Sequence, residues 1–164
     1  MYVKICGIRR QEDALIAAEL GADAIGLLVG QRHNSPDFVS ATVARDIARG
    51  LPTSAEAVLV THIEDVDELK RLLQESEITT VQLHSEIASS SVEGLRGRLP
   101  HLKIFKSINV ISADSVAYPE ASGSWWTVSF STASTWQLVK LEAPERRMIG
   151  RSAGKLACAT PKFR

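Results

Sequence analysis

Apolar positions along residues 1–108 fall into short continuous runs, and the segments between those runs carry apolar residues at helical spacing. Tyr2–Cys6, Ala24–Val29, Ala57–Val60, Thr79–Leu83 and Leu102–Lys106 are each short and mostly apolar, which predicts strands. Gln11–Leu20 sets carboxylates ahead of Ala14, Leu15, Ala17 and Ala18 and stops at Gly21, which predicts a helix. Ser40–Arg49 opens on a capping serine and ends at Gly50 with Pro52 beyond. Asp65–Gln74 carries Val66, Leu69, Leu72 and Leu73 on one helical face, and a weaker helix covers 91–99. Strands and helices alternating in this way predict βα units and a parallel α/β sheet. The strands are apolar on both faces, as expected where helices cover the sheet. An open doubly wound sheet and a closed barrel both fit the pattern.

After about Ser112 the alternation stops. Residues 122–136 set Trp125, Trp126 and Trp136 among serines and threonines, and 140–164 are basic, with Lys140, Arg146, Arg147, Arg151, Lys155, Lys162 and Arg164. The chain therefore divides into a partial barrel-like or doubly wound unit at 1–110 and a divergent segment at 111–164, expected to be an irregular, disordered tail. A nucleic-acid arm is a poor reading of this tail, because its charges and aromatics do not interleave on one face.

Composition narrows the function classes. Lys plus Arg and Asp plus Glu stand at 19 each, so no net charge favours nucleic acid or an anionic membrane. No apolar run reaches the about 18 residues of a membrane span. Met1 leads into a strand-like segment rather than a signal core, so a cytoplasmic location is expected. Cys6 and Cys158 lie too far apart in sequence for a CxxC motif or a zinc knuckle, which fits free thiols in a reducing compartment. His62 and His84 lack the acidic partners of a metal site, and no metal is expected.

Cys6 is the sharpest chemical feature. It ends an apolar strand and precedes Gly7, and in parallel α/β folds chemistry gathers at the carboxyl ends of strands. The strings V-K-I-C-G-I at 3–8, E-D-A at 12–14, A-x-x-x-G-A-D-A-I-G at 17–26, V-S at 39–40 and V-Q-L-H at 81–84 together resemble phosphoribosylanthranilate isomerase over about residues 1–110. That resemblance implies a (β/α)8 TIM barrel, here incomplete with about five βα units, and an enzyme of tryptophan biosynthesis. It implies an Amadori rearrangement of N-(5-phosphoribosyl)anthranilate, a small phosphosugar, with no cofactor. In the family an aspartate after the sixth strand is the general acid, and the cysteine matched by Cys6 is the general base. Two groups of opposite role placed on different parts of the sugar suit an isomerisation.

The resemblance carries further residues. Gly7 allows a sharp turn beside the thiol. Gln82 and His84 alternate with Leu83 and so share a face that can line a barrel. Arg32, in the second loop, is a candidate for the arginine that the family sets against the anthranilate carboxylate. The family has that arginine directly after Ser-Pro, where this chain has Asp37. An acid cannot replace a bidentate guanidinium facing a carboxylate.

The family's L-L-D-S, G-G-T-G and D-W strings do not occur in residues 110–164, so the acid and the phosphate glycines are missing from that stretch. Read two bases later, with free choice among synonymous codons, residues 126–150 can encode D-G-F-L-L-D-S-V-D-L-A-T-G-Q-I-G-G-T-G-A-T-H-D-W. Everything after about Pro119 is therefore expected to be an out-of-frame translation, and the DNA around codons 115–130 tests this. The alternative functions are an inactive barrel fragment or pseudoenzyme, or a sister isomerase acting on a related phosphosugar.

Overall fold

The computed structural model describes residues 2–109 and the backbone of two strands at 127–132 and 135–138. The order is β1 (Lys4–Cys6), α1 (Gln11–Glu19), β2 (Ala24–Leu28), α2 (Ala41–Arg49), β3 (Glu56–Thr61), α3 (Val66–Ser76), β4 (Thr80–Leu83), α4 (Ser89–Arg98), β5 (Lys103–Asn109), β6 (Thr127–Thr132) and β7 (Thr135–Leu138). Local chemistry explains the starts of α2 and α3. The Ser40 hydroxyl accepts from the Val43 amide at 3.2 Å, and the Asp65 carboxylate accepts from the Glu68 amide at 2.8 Å.

Strands β1 to β6 pair in parallel in chain order, while β7 returns antiparallel beside β6. Both β6 and β7 lie within the segment expected to be irregular; the rest of 111–164 falls outside the described residues. Ile25, Leu27, Leu59, Val81, Leu83 and Ile104 from the strands pack with Ala14, Ala44, Ile47, Leu69, Leu73, Val92 and Leu95 from all four helices in one buried cluster. All four helices therefore cover the same face of the sheet. A doubly wound sheet needs helices on both faces and a reversal of strand order. Chain-order pairing with single-sided helices is the wall of a (β/α)8 barrel.

The opposite face carries a small apolar cluster of Ala24, Val58 and Val60, flanked by Tyr2, Leu28 and Phe105. At the amino end of the strands this face closes with a polar knot. Glu56 accepts hydrogen bonds from the Tyr2 phenol at 2.7 Å, the Thr80 hydroxyl at 3.2 Å and the Lys103 ammonium at 3.0 Å. Burial alone would raise the Glu56 carboxyl. The bonds from Tyr2 and Lys103, the Lys103 charge and the Thr80 bond outweigh it and hold the group below its usual range. A carboxyl depressed on folding stabilises the fold above its unfolded pKa and loses that contribution as pH falls through the folded value. Denaturant titrations below about pH 4.5 are expected to show this loss in the native chain and its absence in Glu56→Gln. Parallel acid profiles for the two would remove the knot as a source of stability.

Candidate active site

The site grows out of the alternation along β1. Residues two apart on a strand share a face, so Tyr2, Lys4 and Cys6 all point away from the helices. Tyr2 ends in the amino-end knot, the Lys4 ammonium donates to Gln82 Oε1, and Cys6 stands exposed at the carboxyl end. Gly7 then turns the chain with φ of +82°, a left-handed conformation that a β-carbon would strain, and its amide donates to Gly26 O at 3.1 Å. Gly26 pairs with Cys6 in register. A β-carbon added at Gly26 would overlap the Cys6 sulfur and approach Cys6 Cα to 3.2 Å. The thiol therefore lies over bare backbone of the neighbouring strand.

From β4 the same face receives Gln82, only 2% exposed. Lys4 has donors and no acceptor, so the amide must turn its oxygen toward it, and the Nε2 end donates to Ser107 Oγ on β5 at 2.8 Å. One turn of alternation later, His84 sits half-buried at the strand's end. Burial first, then the charges of His62, Lys4 and Lys106, push its imidazole down to about 4. His62, after β3, stacks edge-on between His84 at 5.6 Å and His33 at 5.9 Å, and is lowered by burial, His33 and Arg32. Lys106 is 8% exposed and pinned by the carbonyls of Ser85 at 2.7 Å and Ser107 at 2.8 Å. Burial lowers it, opposed by Glu86 and Glu64.

The depressed His84 makes a prediction. The unfolded imidazole takes a proton near 6.5 while the folded one resists until about 4. Stability is expected to fall as pH drops across that interval, because the unfolded chain binds the extra proton. Thermal melts of the native chain and His84→Asn between pH 7 and 4.5 measure it: the loss should be smaller in the variant. Equal losses would show that His84 is not the responsible group.

The loops distribute the arginines in a way the linear order hides. Arg32 forms an ion pair with Glu64 at 3.1 Å. Arg9 instead reaches across the mouth and donates to Pro36 O at 2.6 Å, beside Asp37, whose carboxyl group lies over Gly7. Among the described residues, no group of three or more His, Cys, Asp or Glu is placed to hold a metal ion, and no helix is long and apolar enough to cross a membrane.

Residues 3–120 match the family model described as N-(5'phosphoribosyl)anthranilate (PRA) isomerase. The chain belongs to this family. It is 47% identical to the N-(5'-phosphoribosyl)anthranilate isomerase 2 of Methanosarcina mazei over 111 residues, which are 68% of this chain and 49% of that protein. The phosphoribosyl anthranilate isomerase of Thermus thermophilus superposes with a TM-score of 0.61 and 34% identity, covering 68% of this chain and 54% of that one. Another family member, solved with reduced 1-(o-carboxyphenylamino)-1-deoxyribulose 5-phosphate, gives a TM-score of 0.71 and 27% identity, with 82% and 66% covered. The chain spans about half the length of the curated relatives it matches. These isomerases share the barrel wall seen here.

The structure thus gathers Cys6, Gly7, Gln82 and His84 at one end of one sheet face, and sets Arg32 in a neighbouring loop against Glu64. Sequence reasoning missed Gly26 and Ser107 as parts of this end. The last glycine of G-A-D-A-I-G was visible as a motif letter, but its role depends on the β1–β2 register. Ser107 carries no local signal; only the pairing of Gln82 with Phe105 brings β5 alongside.

Proposed function

We propose that this chain acts as an N-(5'-phosphoribosyl)anthranilate isomerase, catalysing the cofactor-free Amadori rearrangement in tryptophan biosynthesis with Cys6 as general base. The observation that carries the reading is the exposed thiol of K-I-C-G-I at the carboxyl end of the barrel strands, seated over the bare backbone of Gly26. A thiol is a chemically suitable base because its ordinary pKa of about 8.5 leaves a usable thiolate fraction near neutral pH. Gly7 brings the backbone close to the thiol, Gln82 and His84 line the substrate's approach, and the neutral His84 offers hydrogen bonds without adding charge. Arg32 and Arg9 are the guanidinium groups near the mouth for a substrate carboxylate; Arg9 is the better placed, because Arg32 is held by Glu64. The substrate is a small phosphosugar, and a free thiol base suits a cytoplasmic location.

A second reading follows from the strings absent from 110–164: a half-site that holds the base without its acid. Converting N-(5-phosphoribosyl)anthranilate with the purified 164-residue chain and with a frame-restored chain separates the two. Turnover by the 164-residue chain supports the isomerase reading and ends the half-site one. Turnover by the restored chain alone does the reverse. Turnover by neither removes the substrate assignment and leaves the sister-isomerase alternative.

A further inference from the structure

We infer that Lys106 is a positioning residue for Gln82 and His84: it binds the main chain just past the point where β4 and β5 stop pairing, and so fixes the strand ends that carry both side chains. The inference deepens the isomerase reading, in which Gln82 and His84 line the substrate's approach. The β4–β5 ladder runs from Thr80 opposite Lys103 to Leu83 opposite Lys106. His84 and Ser85 leave it on one side and Ser107 on the other. The Lys106 ammonium bridges this gap, donating to Ser85 O at 2.7 Å and to Ser107 O at 2.8 Å.

Both bonds reach a residue that supports the site. Ser85 follows His84 directly, and the Ser107 hydroxyl accepts from the Gln82 amide at 2.8 Å. From the β3 side, the His84 amide donates to Thr61 O at 2.9 Å, and the Ser85 hydroxyl donates to Ile63 O at 3.5 Å. The segment 84–85 is thus held between β3 and β5, and Lys106 supplies the β5 tie.

The type of residue at 106 fits this role. Lysine is rarely buried, yet Lys106 is 8% exposed. Alternation along β5 sets it with Ile104 on the helix-covered face, so it acts on the site through the main chain rather than by facing it. An apolar side chain would fill the same space without desolvating a charge. It could not bond the two carbonyl oxygens, whereas an ammonium has donors for both. Glu86 and Glu64 favour the charged form against burial.

The test reads His84 in the full chain by nuclear magnetic resonance, comparing the native protein with Lys106→Met and Lys106→Arg. Lys106→Met is expected to speed exchange of the His84 amide about tenfold, the effect of losing a charged hydrogen bond. The Ala44 amide in α2, bonded to Ser40 O, should be unchanged. The His84 imidazole faces Lys4 from β1, His62 from the end of β3 and Lys106 from β5, with Glu86 in its own loop and Arg32 and His33 beyond His62. Removing one of these cations should move its midpoint up from about 4 toward 6.5, and Lys106→Arg should return it. An unmoved His84 amide in Lys106→Met, an acceleration shared equally by Ala44, or an unmoved midpoint overturns the inference. Should circular dichroism show that variant unfolded, the native chain decides: Lys106 ammonium protons without coupling to the Ser85 and Ser107 carbonyl carbons overturn it. None of these readouts needs turnover, so their failure leaves the isomerase reading standing, and a chain without isomerase activity leaves the positioning role standing.

Discussion

Cys6→Ala is expected to lower turnover of N-(5-phosphoribosyl)anthranilate by about 10²–10⁴-fold, the contribution of a well-placed acid or base. The effect should fall on catalysis alone. Cys6 is exposed at the end of a strand, so removing its sulfur leaves no buried cavity and little change in stability. Calorimetry of the variant should therefore match the native chain, while kcat drops in whichever form turns over. Equal kcat in the two would take the thiol out of the mechanism. The pH dependence adds a second check, because an alanine variant must lose the limb that reports ionisation of the base.

Gly26→Val carries the second large effect, for a steric reason. The strand register sets Gly26 directly beside Cys6, and its missing side chain is the space that the sulfur occupies. Crowding of a packed site costs about 1–3 kcal/mol, and a reacting group displaced by ~1 Å loses about 10²-fold in rate. A lower melting temperature together with a changed Cys6 alkylation rate is the expected result. Gly26→Ala should give a smaller change of the same kind, since even one β-carbon overlaps the sulfur. If valine leaves both the melting temperature and the alkylation rate unaltered, the sulfur does not depend on this gap. Gly7→Ala would be a different experiment: there the obstacle is the φ of +82°, not the space.

Much of this arrangement could be read along the chain. The five strand segments and the helices at 11–20, 40–49 and 65–74 appear where apolar periodicity put them, because each element is specified by neighbours within a few residues. The Ser40 cap is of the same local kind. Cys6 at a strand's end and the shared face of Gln82 and His84 follow from period-two alternation alone. The family motifs over residues 1–110 were equally legible, and the match to residues 3–120 agrees with them.

Tertiary structure alone decided between a doubly wound sheet and a barrel wall, since both have the same periodicity and differ only in which face the helices cover. It also decided the partners of each charge. Lys4 and Arg9 both flank Cys6 in sequence, yet one turns inward to Gln82 while the other crosses to Pro36. Arg32 has Asp37 in its own loop, yet it meets Glu64 from the loop after β3. Such pairings depend on register between strands and on loop paths, and they join residues tens of positions apart. Local propensity specifies where a strand ends and which way its side chains alternate; only packing specifies what stands opposite them.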